Sequence, residues 1–66
     1  MEYTNSQILA LIREYIHSDR DRRVLCDRLI NGITMEKLSE KHELSVSQVK
    51  RIVRRNMEIL MKHIPK

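Results

Sequence analysis

The only glycine in this chain, Gly32, follows Asn31 near the midpoint, and the only proline, Pro65, is the second-last residue. Sheet proteins depend on such residues at their many turns, because glycine supplies positive φ and proline pre-sets a bend. No stretch alternates apolar and polar residues between turn signals, so the chain predicts helices. Its 66 residues allow one domain, spanning 1–66, with a small core and marginal stability. The lone Cys26 has no partner for an internal disulfide, which fits a reducing cytoplasm and leaves the core to aliphatic side chains. With 41% hydrophobic residues and no Phe or Trp, the composition suits that task.

Four helical segments follow from the periodicity. The first runs from about Asn5 or Ser6 to His17, roughly 6–17. Ile8, Leu9, Leu11, Ile12, Tyr15 and Ile16 fill one arc, opposite Arg13, Glu14 and His17. The second spans about 19–30. Ser18 or Asp19 caps it, and Asp19 and Asp21 suit the positive end of its dipole. Its apolar face is Leu25, Leu29 and Ile30, with Val24 and Cys26 at the edges, and Asn31-Gly32 stops it. The third, about 35–42, has Thr34 as its cap candidate and turns Met35 and Leu38 inward. The fourth, about 46–63, opens with a capping box of Ser45 and Gln48 and ends before Pro65. The expected fold is all-α, a small four-helix domain with no wing.

Charge is distributed unevenly. Residues 1–44 carry seven Lys/Arg against eight Asp/Glu; residues 45–66 carry six against one. The net +4 is therefore concentrated in the last third, which points to an anionic partner, nucleic acid first. No segment has the signature of a signal peptide, and none approaches the ~18 apolar residues of a membrane span. His17, Cys26, His42 and His63 match no zinc spacing, and Cys26 has no second thiol. No Gly-rich phosphate loop or catalytic carboxylate pair stands out, so the chain reads as a non-enzyme that needs no cofactor.

A short helix, about three turn residues and a strongly basic second helix make the outline of a helix-turn-helix, formed here by the third and fourth helices. Leu38, Leu44, Val49 and Ile52 are placed to converge on a small core between the two. From Arg22 to Leu60 the chain resembles the C-terminal, promoter-reading region of bacterial sigma factors. The matching residues are Arg22, Val24-Leu25, Arg28-Leu29, Gly32-Ile33-Thr34 and Met35 to Lys41, then Leu44-Ser45, Val49 to Ile52 and Leu60. The family usually has Ala at Ser39, Gly at Glu43 and Ala at Asn56. Glu43 raises the question of backbone strain at a turn that favours glycine, and Asn56 that of a polar seam. The resemblance implies promoter contact through the fourth helix. It is closest in kind to small stand-alone sigma-like regulators of phages and mobile elements, because the chain has no room for a promoter-melting domain.

The helical wheel sorts the fourth helix independently of that resemblance. Val46, Val49, Ile52, Val53, Asn56 and Leu60 lie on one side; Ser47, Arg51, Arg54, Arg55, Glu58 and Lys62 lie opposite, with Gln48 and Lys50 on the flanks. Recognition helices present their N-terminal residues to base edges, so Ser47, Gln48 and Arg51 are the expected base readers. Lys50, Arg54 and Arg55 are expected to grip phosphates, and Ser45 with the first-turn amides to hold another. Arg22 and Arg23 are further candidates for backbone contact.

Each of these features has a plainer reading. A basic helix face is often only a solvated surface, and apolar stripes are core. Met57, Ile59, Leu60, Met61 and Ile64 nonetheless cover a wider arc than one contact needs, which suits a homodimer or an RNA polymerase docking surface. The main alternative to DNA binding is therefore a protein-interaction module with little DNA contact. The DNA-binding piece of a transposase or recombinase comes third, since the chain begins with Met and has no catalytic domain.

Overall fold

The computed structural model describes residues 3–63 and contains four helices: α1 (Asn5–Tyr15), α2 (Asp19–Leu29), α3 (Met35–His42) and α4 (Val46–His63). Among the described residues there is no strand, so the all-α four-helix expectation holds and no wing is present.

Local chemistry explains where each helix begins. At α1, Thr4 Oγ1 accepts the Gln7 N–H at 3.2 Å while Gln7 Oε1 accepts the Thr4 N–H at 2.8 Å. This reciprocal capping satisfies two amides and starts the helix at Asn5. Ser18 caps α2 through the Asp21 N–H, and Thr34 caps α3 through the Lys37 N–H. The expected box at α4 is present, with Gln48 N–H to Ser45 Oγ at 3.1 Å and Ser45 N–H to Gln48 Oε1 at 2.9 Å.

The helix ends carry more tertiary information. α1 stops at Tyr15, two residues before His17, because Arg22 of α2 takes over its last acceptors. The Arg22 guanidinium donates to the carbonyl of Ile16 and, at 2.9 Å, to that of Arg13. Ile16 turns extended and buries its side chain, which anchors the corner. α2 ends at Leu29 with Ile30 as a still right-handed cap, and Gly32 follows at φ +66°. α3 ends on Glu43, which adopts the left-handed conformation at φ 55°, ψ 45°. The Leu44 N–H then returns to the Ser39 carbonyl at 2.9 Å, the six-to-one bond of a Schellman cap. The question raised by Glu43 is thus answered: a glycine conformation is held here by a β-carbon-bearing residue.

All four helices contribute to one core of Ile12, Ile16, Val24, Leu25, Leu38, Val49, Ile52, Val53 and Leu60. Two sequence expectations need correction. Val24 is fully buried and central, not at an edge, whereas Leu29 and Ile30 are half-buried. α2 packs against α1, α3 and α4 together, and its buried stripe is Asp21, Val24 and Leu25, at i, i+3, i+4 spacing. Leu60, on the apolar side of the α4 wheel and also a candidate for the docking arc, is 3% exposed within the core to which α1 supplies Ile12 and Ile16.

Two carboxylates are buried with that core. Asp27 is met by His42 Nε2 and Lys41 Nζ, both at 2.9 Å, and by Asn31 Nδ2 at 3.2 Å. Burial pushes its carboxyl up, but the hydrogen bonds from Lys41, His42 and Asn31 prevail and hold it below the ordinary carboxylate value. Asp21 accepts from Asn56 Nδ2 at 2.9 Å and from Arg55 at 3.3 Å on one oxygen, and from Arg20 at 3.4 Å on the other. Asn56 is therefore the polar seam between α2 and α4, and its amide also donates to the Ile52 carbonyl at 2.8 Å.

Candidate nucleic-acid interface

The basic third of the chain becomes a single two-faced rod. At ~1.5 Å per residue, the 18 residues of α4 span about 27 Å. Val49, Ile52, Val53, Asn56 and Leu60 are buried along one side. Ser47, Gln48, Lys50, Arg51, Arg54 and Arg55 are all exposed on the remainder, with Ser45 exposed at the N-cap. The three-residue connection Glu43, Leu44 and Ser45 fixes this orientation. Its left-handed corner reverses the chain, half-buried Leu44 packs against the core, and Ser45 starts α4.

The exposed residues are not equally free. Gln48 Oε1 is engaged by the Ser45 N–H, so its amide nitrogen is the available end. Bidentate pairing to adenine uses both ends of the amide, so Gln48 acts as a donor alone while the capping box persists. The Ser45 oxygen accepts from Gln48, but its hydroxyl hydrogen remains free to donate beside the first-turn amides, which have no intrahelical partner. Lys50, Arg51 and Arg54 form no ion pair among the described residues. Arg55 spends one terminal nitrogen on Asp21 and keeps its side chain 58% exposed.

Arg22 and Arg23, the two α2 candidates for backbone contact, have different surroundings. Arg22 is committed to the carbonyls that end α1, and its 3.8 Å approach to exposed Asp19 adds little. Arg23 is exposed and lines a groove of about 440 Å³ with Leu9, Ile12, Arg13, Cys26 and Lys41. Cys26 forms part of that wall as a half-buried thiol. Its pKa is pushed up by burial and by neighbouring Asp27, with Arg13 opposing. Sequence reasoning passed over Arg20, which approaches α4 beside Arg51 and Arg55.

The apolar arc at the far end of α4 is smaller than its sequence suggested. Met61 is 61% exposed, Met57 and Ile59 are half-buried against the core, and Ile64 lies outside the described residues. The Tyr15 and His63 rings stack at 3.7 Å with planes 2° apart, tying this end of α4 to α1. Among the described residues no helix is long and apolar enough to cross a membrane. No three His, Cys, Asp or Glu side chains there are grouped to hold a metal ion. No protein-family model, curated protein or solved structure matches this chain.

Proposed function

We propose that this protein is a non-enzymatic, sequence-specific binder of double-stranded DNA, with α3 and α4 acting as a helix-turn-helix and the chain serving as a transcriptional regulator or sigma-like accessory factor. The observation that carries the reading is the unobstructed N-terminal half of α4, where Ser47, Gln48, Lys50, Arg51 and Arg54 are exposed together while Val49, Ile52 and Val53 lock the opposite face. A B-DNA major groove about 12 Å wide admits one helix with its side chains. In this reading Arg51 bonds guanine bidentately, Ser47 and the Gln48 amide nitrogen reach neighbouring base edges, and Lys50, Arg54, Arg55 and Ser45 hold phosphates.

A second reading has the chain dock RNA polymerase, another regulator or a second copy of itself through Met57, Ile59 and Met61. The exposure of Met61 favours it, while the burial of Leu60 removes the middle of that surface. A gel shift at two salt concentrations, beside a polymerase pull-down, separates the two. DNA binding predicts a salt-sensitive shift that Arg51→Ala and Arg54→Ala weaken. Docking alone predicts no shift and a pull-down that Met61→Glu abolishes.

A further inference from the structure

Where α2 meets the first half of α4, Arg20, Leu44, Gln48, Arg51, Ile52 and Arg55 enclose a shallow concavity of about 160 Å³. Three guanidinium groups share it, and none of the three is neutralised within it. Arg51 has no acidic partner among the described residues. Arg20 and Arg55 are both held by Asp21, one on each carboxylate oxygen, and a single carboxylate cannot balance them. Each spends only one nitrogen there. Arg20 uses Nε, which leaves both terminal nitrogens, and Arg55 uses one terminal nitrogen, which leaves Nε and the other. Their side chains are 56% and 58% exposed, while that of Asp21 is 6% exposed and tied to Asn56. The buried carboxylate therefore fixes two cations at the rim of a small cup, with their free donors outside the pair.

We propose that Arg20, Arg51 and Arg55 form a seat for one phosphate of the DNA backbone, with Asp21 as the positioning residue that holds Arg20 and Arg55. This rests on the DNA-binding reading of α4 and adds α2 to the interface. Planar guanidinium forks match phosphate geometry, and a fixed pair loses less entropy on binding than two free side chains. Arg20 gives the chain a second point of attachment and sets the depth to which α4 enters the groove. Arg22, about 160° away from Arg20 around α2, is occupied with the end of α1 and takes no part.

The test is a salt titration of duplex binding by fluorescence anisotropy, using a selected site and a random duplex. Arg20→Ala should weaken both by the same factor, about two- to five-fold, and reduce the slope of log K against log salt by about 0.9. Arg13→Ala, outside the cup, should leave the slope unchanged. Asp21→Asn removes a negative charge, so general electrostatics raises affinity. The seat predicts that affinity and slope both fall; a fall in affinity at constant slope overturns the positioning role. Unchanged slope in Arg20→Ala, with binding intact and Arg54→Ala still lowering it, overturns the seat and leaves the DNA reading standing. Stronger binding by Asp21→Asn overturns the positioning role. A native protein that binds no duplex at low salt overturns the reading and the seat together.

Discussion

Asn56→Ala should destabilise the protein by about 2–3 kcal/mol. The side chain is 3% exposed and donates at 2.9 Å to Asp21, itself 4% exposed. A buried hydrogen bond to a charged acceptor is worth about 1.5–3 kcal/mol, and its loss leaves the carboxylate short of a donor. The remaining partners, Arg20 and Arg55, are longer and largely solvent-screened, so each returns at most about 1 kcal/mol. Asp21→Ala alone leaves one of the two Asn56 amide hydrogens without an acceptor, the other staying on the Ile52 carbonyl. The double variant orphans neither, so it should cost about 1.5–2 kcal/mol less than the sum of the single losses. A chain of this size has ~3–10 kcal/mol of total stability, so the single variants remain folded in the cold. Thermal and urea unfolding followed by circular dichroism measures the cycle. Each kcal/mol lowers Tm by about 4–8 °C in a domain this small. A coupling within about 0.5 kcal/mol of zero, or a stabilised Asn56→Ala, would refute the claim that this pair joins α2 to α4.

Three further outcomes are expected. Glu43→Gly should stabilise by about 0.5–1 kcal/mol, since relief of left-handed strain exceeds the added chain entropy of glycine; a Tm at or below the native value contradicts this. Asp27 has a lowered carboxyl pKa when folded, so the native state binds fewer protons than the unfolded chain. Its contribution is complete above the ordinary value of about 3.9 and is lost as pH falls through the lowered one. Asp27→Asn should therefore flatten the acid limb of urea midpoints below about pH 4, and a limb as steep as the native one counts against it. Leu60→Ala should cost about 2–5 kcal/mol and Met61→Ala almost nothing, and equal losses would mean that Leu60 is not in the core.

Local chemistry was legible and long-range burial was not. Ser18, Thr34 and the Ser45–Gln48 box act as their residue types and spacing indicate, because a cap needs only its own first turn. The same kind of box at Thr4 and Gln7 is equally local and sets the start of α1 at Asn5. The wheel of α4 divided its buried and exposed residues correctly because its apolar stripe is long and regular. Asp21 read as a surface acid suited to a helix dipole, yet its bonds to Arg55 and Asn56 cross 34 and 35 residues of sequence. Arg22 read as a candidate DNA contact and instead ends α1, nine residues back at Arg13. In both cases the decisive partner is set by how the helices pack, which periodicity within one helix does not encode.

Selection of bound duplexes from a random pool, run with the native protein and with Arg51→Ala, tests the role of α4 most directly. The account predicts an enriched motif for the native chain and loss of preference at one guanine position in the variant, at a cost of about 1–3 kcal/mol for the preferred site. A native pool that emerges unenriched, or an identical motif from Arg51→Ala, would contradict it.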